Sequence, residues 1–136
     1  MIVNYLAAMH FQMYLDSGTA AVFFIALVIG HVLGDYPLQG RFLAVAKNRH
    51  ADVTSLFDGD LPPRGLWIHA LTAHSLIHSG IVWFISGSLT LGLVELVLHW
   101  VIDFAKSEKW TNFMVDQLLH VACKAGYAAL IGFELM

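Results

Sequence analysis

Apolar positions along this chain run in long blocks, and the polar residues inside them recur at helical spacing. Residues 20–34 contain no Asp, Glu, Lys or Arg, and neither do the thirty residues 65–94. A hydrocarbon core of roughly 30 Å takes about 20 helical residues. The longer block exceeds one span, and Ser86-Gly87-Ser88 breaks it with a turn signal. The pattern predicts four membrane-spanning helices over about 19–36, 66–85, 89–106 and 113–134. Asp16, Ser17 and Thr19 are candidate N-caps of the first. Pro37 disfavours helical geometry at Tyr36, so that helix should stop or kink there. Residues 1–15 are apolar with Asn4, His10 and Gln12 interspersed, and they lack a basic n-region and a small-residue cleavage site. They read as an interfacial helix, not as a removed signal peptide. The expected architecture is a single all-α integral membrane domain over 1–136, a four-transmembrane-helix bundle with an N-terminal interfacial segment.

Composition agrees with lipid as the main solvent. Hydrophobic residues make up 58% of the 136 and charged residues 12%, about half the usual allowance of a soluble domain; the mean hydropathy is +0.69. A formal charge of −3 excludes a basic nucleic-acid binder, and the single Cys123 excludes both a disulfide framework and a CxxC zinc module. Basic residues sit in two loops. Arg41, Lys47, Arg49 and Arg64 lie in 40–65, and Lys106 and Lys109 lie between the last two spans. The positive-inside rule puts both loops in the cytoplasm and both termini outside.

Histidines and carboxylates then change the picture from a bundle to a site. Four pairs stand at i, i+4: His31 with Asp35, His74 with His78, His99 with Asp103, and Asp116 with His120. Residues four apart share a helix face, so each predicted span contributes one pair. Taking the turn between the last two spans as a hairpin axis, Asp103 is level with Asp116, His99 with His120, and Glu95 with Lys124. Asp35 with His31, and His74 in the second span, fall near the same depths. Three carboxylates at one cytoplasmic mouth would repel each other, and ionised groups persist in a membrane only when paired or working. A divalent cation resolves the conflict, and nitrogen with carboxylate oxygen suits Zn, Mn or Fe, as one ion or two. The candidate ligands are His31, Asp35, His74, His78, His99, Asp103, Asp116 and His120, with Asp35, Asp103 and Asp116 as candidate catalytic carboxylates. Gln39, Lys47, His69, Glu95, Lys106, Gln117 and Lys124 are candidates for holding substrate or supporting the ligands.

Plainer readings exist for each feature. A single polar residue in a membrane helix is often a helix–helix hydrogen bond. Glu95 and Lys124 at matched depth read as a structural ion pair or as an acid–base pair. The loop 40–65 reads as a solvated topology signal or as a lid whose basic residues hold an anionic group. His10 and His50 read as surface residues, Cys123 as packing, and the tryptophans as interfacial anchors. Gly30 and Gly34 read as small residues that permit close helix contact.

The segments His31-Val-Leu-Gly-Asp35-Tyr-Pro-Leu-Gln39, His74-Ser-Leu-Ile-His78, His99-Trp-Val-Ile-Asp103-Phe-Ala-Lys106 and Asp116-Gln117-Leu-Leu-His120 resemble the signatures of an uncharacterised family of small bacterial and phage multi-span membrane proteins, catalogued as a domain of unknown function. The resemblance runs over about 29–123 and implies a multi-helix membrane protein without supplying an activity. By residue type the motifs are also similar to inner-membrane metal-dependent hydrolases. Tyr36-Pro37 and the additional His69 depart from the family pattern. The leading expectation is a membrane-embedded, metal-dependent hydrolase that draws a lipid or a phosphorylated small molecule from the cytoplasmic side. The alternatives are a divalent-cation or proton transporter, bis-histidine haem ligation, and a non-catalytic membrane partner protein with a structural metal. The apolar outer halves offer a transported ion no continuing path, although a homo-oligomer could supply one at its interface.

Overall fold

Turn chemistry divides the apolar blocks into helices. The computed structural model describes residues 20–132, in the order α1 (Ala20–Asp35), α2 (Gly40–Ala46), a 3-10 turn (Thr54–Leu56), α3 (Leu66–Ser86), α4 (Leu89–Ser107) and α5 (Phe113–Gly132). No strand occurs among the described residues. The expected interfacial segment 1–15 and both chain termini lie outside them. Pro37 sits in the turn after α1, and the chain bends there by 85° into α2, because proline and its predecessor both resist continuing the helix. Part of the stretch read from sequence as loop is therefore a short helix lying against α3. Gly87, at φ 69°, ends α3 in the left-handed conformation that glycine accepts without strain, and Ser88 Oγ accepts from Leu91 N–H (3.3 Å) to start α4.

The four long helices close a ring: α3 packs on α1 and α4, and α5 packs on α4 and α1. One end of the ring has an apolar interior built from Phe23, Leu27, Val82, Leu91 and Ala128. The other end buries His31, His74, His78, His99, His120, Asp103 and Asp116, and Glu95 and Lys124 are buried too. More polar or charged side chains than apolar ones are buried among the described residues, while Ile25, Ile29, Leu76, Phe84, Val97 and Leu118 are exposed. That inverts the usual distribution of a water-soluble domain.

Length and composition alone support fewer spans than the sequence pattern suggested. Helix α3 is long and apolar enough to cross a membrane, its best window having mean hydropathy 1.3, and the bent pair α1–α2 would supply a second. Helix α1 by itself has only 16 residues. Helices α4 and α5 carry Glu95, Asp103, Lys106, Asp116 and Lys124, which lower their hydropathy whichever way the side chains point.

Candidate metal centre

Helical spacing aims the polar side chains at one another. His31 and Asp35 occupy the last turn of α1, and His74 and His78 occupy one face of α3. Glu95, His99 and Asp103 recur every four residues on α4, as do Asp116, His120 and Lys124 on α5. All four faces turn into the ring. Gly34 allows the close approach on the α1 side: a Cβ there would lie 2.5 Å from Cε1 and 2.6 Å from Nε2 of His78.

Three overlapping groups have ligand atoms within 4.8 Å of one another: Asp35 with His74, His78 and His99; His31 with His99 and His120; and Asp103 with Asp116 and His120. The first has the tightest geometry. Asp35 Oδ1 lies 3.1 Å from His78 Nε2 and 3.4 Å from His74 Nε2, and His74 Nε2 lies 3.1 Å from His99 Nε2. Four ligands at roughly 2.0–2.1 Å around a tetrahedral ion stand roughly 3.4 Å apart, so the donor atoms are spaced for a cation to sit among them. The His99 and His120 rings approach to 4.1 Å between centroids, and His31 lies 4.8 Å from His120.

Unpaired polar atoms test that fit. Both ring nitrogens of His31, Nδ1 of His74, Nε2 of His78 and Oδ1 of Asp116 are buried without a hydrogen-bond partner. His31 Nε2 is 3.4 Å from Asp35 Oδ2 but lacks the alignment of a hydrogen bond. A buried unsatisfied group costs about 1–3 kcal/mol, and several gathered in one layer ask for a shared partner. Charge sharpens the location. Lys47 Nζ donates to Asp103 (2.6 Å), Lys106 Nζ to Asp116 (2.8 Å) and Lys124 Nζ to Glu95 (2.5 Å). Asp35 has no lysine partner; His31, His74, His78 and the Gln117 amide surround it. The carboxylate without a lysine hydrogen bond is the one ringed by imidazoles, which is where a metal ion fits this donor set.

A second tier of residues orients the first. Glu95 Oε1 accepts from His99 Nδ1 at 3.1 Å, and that bond leaves the His99 Nε2 lone pair facing His74 and the Asp35 group. Carboxylate–histidine pairs of this kind fix the tautomer and raise ligand basicity. Tyr127 Oη donates to Glu95 Oε2 (2.9 Å), completing a fully paired buried carboxylate. Gln117 Nε2 donates to Asp35 Oδ2 (3.2 Å) and to Asp116 Oδ2 (3.1 Å), bridging two of the three candidate catalytic carboxylates.

The remaining candidates divide. Gln39, Lys47, Lys106 and Gln117 line a cavity of about 240 Å³ at the mouth of the layer, floored by Asp35 and Asp103. His69 is exposed on α3 and stands outside the layer. His50 is exposed and meets Glu108 (3.1 Å), and Cys123 is half-buried beside the apolar end. Two contributors escaped the sequence reading. Tyr127 follows Lys124 by three residues on α5, so helical spacing from the predicted Glu95–Lys124 pair could have found it. Arg49, read as a topology signal or as part of an anion-holding lid, donates to Glu108 (2.6 Å) and lies 5.8 and 5.5 Å from the Trp67 and Phe104 ring centroids. It pins the loop to the bundle two residues from Lys47. Glu108 answers to both forces: partial burial would raise its carboxyl, but the hydrogen bonds from Arg49 and His50 hold it below its ordinary range.

Neither the curated proteins nor the solved structures yield a significant match to this chain. A family model matches residues 23–130, nearly all of the described bundle and every member of the histidine–carboxylate layer, so the chain belongs to the family described as a protein of unknown function, DUF3307.

Proposed function

We propose that this protein is a four-span protein of the bacterial inner membrane that holds a divalent cation inside its bundle and hydrolyses a lipid or other anionic substrate reached from the cytoplasmic side. The observation that carries the metal is Asp35, a carboxylate without a lysine, set 3.1–3.4 Å from the Nε2 atoms of His78 and His74. The membrane reading rests on the inverted distribution of side chains, with apolar residues outward and charge inward, which suits lipid as solvent. Buried inward charges make the low hydropathy of α4 and α5 compatible with spanning. The basic loops then face the cytoplasm.

When bound, Zn, Mn or Fe would acidify a water molecule and polarise a phosphoryl or acyl oxygen. Asp35, His74, His78 and His99 would hold the ion, with Asp103, Asp116 and His120 able to hold a second beside it. Asp103 lines the mouth cavity, Asp116 is buried behind the lining residue Lys106, and either can take a proton from water as general base. Lys47 and Lys106 donate to them and can draw in a negative group. The apolar plug of Phe23, Leu27, Val82 and Leu91 closes the far end, which favours chemistry at a blind cavity over passage of an ion through the bundle.

Elemental analysis of the protein purified in mild detergent tests the reading. We expect about one equivalent of Zn, Mn or Fe, lost in Asp35→Ala and kept in His50→Ala. Metal-free protein that remains folded would overturn it and return the layer to a proton or hydrogen-bond network. Retained metal without turnover on phosphoester and lipid-ester substrates would point to a structural ion in a partner protein.

A further inference from the structure

Charge in the mouth layer does not balance once a metal is present. Asp35, Asp103 and Asp116 bring three negative charges, and Lys47 and Lys106 bring two positive ones. A single divalent ion turns that net negative charge positive at the floor of the cavity. Each lysine ammonium carries three donors and spends one on its aspartate. The donors left over border the cavity together with the side chains of Gln39 and Asn48. Two lysines, a metal and amide groups around one cavity are the chemistry of a phosphate site.

A second feature starts where the cavity ends. An open apolar groove of about 510 Å³ runs between α1 and α3, from Leu33 and Leu38 at the mouth to Ile85 at the plugged end. Leu38 borders the groove and its neighbour Gln39 borders the cavity, so the two open on adjacent residues of the bend after Pro37. Gly80 lies in the groove wall, and a Cβ there would meet nothing within 4 Å. Resting on the metal reading above, we propose that the mouth cavity is a phosphate subsite for a phosphorylated membrane lipid, with the head group between Lys47 and Lys106 and an acyl chain along the α1–α3 groove.

Calorimetric titration of the metal-loaded protein in detergent, with inorganic phosphate, glycerol 3-phosphate and dioleoyl phosphatidic acid, tests this. All three should bind, and phosphatidic acid about tenfold tighter than glycerol 3-phosphate, the gain expected from burying about two methylenes. Combined Lys47→Gln and Lys106→Gln should weaken all three about tenfold or more, whereas Lys47→Arg with Lys106→Arg and the loop control Arg64→Gln should retain binding. Gly80→Phe should bring phosphatidic acid down to the level of glycerol 3-phosphate and leave inorganic phosphate unchanged. Full metal content with phosphate binding indifferent to both lysines would overturn the subsite while leaving the metal centre standing. Phosphatidic acid that binds no tighter than glycerol 3-phosphate, or ignores Gly80→Phe, would overturn the lipid as occupant. A wild-type protein without metal would overturn the metal reading, and this inference with it.

Discussion

Lys124 on α5 donates to Glu95 on α4 at 2.5 Å, and the same Glu95 oxygen lies 3.1 Å from His99 Nδ1. One carboxylate thus serves an ion pair and a candidate metal ligand. Breaking a buried pair leaves an uncompensated charge and costs about 3–5 kcal/mol, whereas replacing both partners by apolar residues is often neutral. Lys124→Met should therefore lower the thermal midpoint strongly, and Glu95→Met combined with Lys124→Met should recover most of it. Metal affinity should not recover, because His99 has lost the carboxylate that orients it; a drop of about 10–100-fold is expected. Thermal unfolding and metal titration on the same three proteins separate the two roles. Full metal affinity in the double variant would make the pair purely structural.

The depth relationship behind that test was readable from spacing. Counting outward from the α4–α5 turn pairs Glu95 with Lys124 and His99 with His120, and the structure sets them 2.5 Å apart and in ring contact respectively. Such counting works because both helices rise by the same step per residue from a common turn. The bend at Pro37 was equally local. Other features needed three dimensions. Nothing in the sequence of 40–65 says that Lys47 reaches Asp103, since that contact joins positions 56 residues apart and depends on Arg49 pinning the loop. His69, by contrast, was separable by spacing, since it stands five residues before His74 and off the face that His74 shares with His78, and it is exposed on α3. Apolar blocks alone suggested four spans, but length and hydropathy register only α3 and the bent α1–α2 pair, because charge directed inward counts against a helix in any average over its residues.

Gly34 gives a test of the ring that substitutes none of the ligand residues. The Cβ of Gly34→Ala would fall 2.5–2.6 Å from the His78 ring, closer than real contacts allow, so the imidazole must move off Asp35. Alanine is the better helix former by about 1 kcal/mol, which offsets part of the strain. The expected result is a folded protein whose metal affinity falls at least about tenfold, for a ligand displaced from a tetrahedral position. Gly126→Ala, where a Cβ meets nothing within 4 Å, should keep wild-type metal. Equal affinity in the two variants would remove His78 from the ligand set.

Gln117 separates bridging from ligation. Its Nε2 holds Asp35 and Asp116 together at 3.2 and 3.1 Å, yet an uncharged amide contributes little to metal affinity on its own. Gln117→Leu should reduce affinity by about 10-fold, the lower end for a lost supporting partner, whereas Asp35→Asn should abolish retention. Elemental analysis after dialysis against a mild chelator ranks the two. A variant ranking in which Gln117→Leu loses metal and Asp35→Asn keeps it would move the ion away from Asp35.

Glu108 sets how acid opens the loop. Its carboxyl is held below the ordinary range by Arg49 and His50 against partial burial, so folding and proton binding are linked. A depressed folded-state value means the clasp contributes fully above the ordinary carboxylate value and is lost only as the pH falls through the depressed one. Hydrogen exchange across 48–60 should accordingly stay slow from neutral pH down through the usual carboxylate range, once corrected for intrinsic rates, and rise below it. Glu108→Gln should exchange fast at neutral pH and show no such rise. Because Lys47 is two residues from Arg49, the same variant should also loosen the Lys47–Asp103 pair and weaken inorganic phosphate binding at neutral pH. A loop whose protection is indifferent both to Glu108→Gln and to acid would mean that the Trp67 and Phe104 faces, not the carboxylate, hold Arg49 in place.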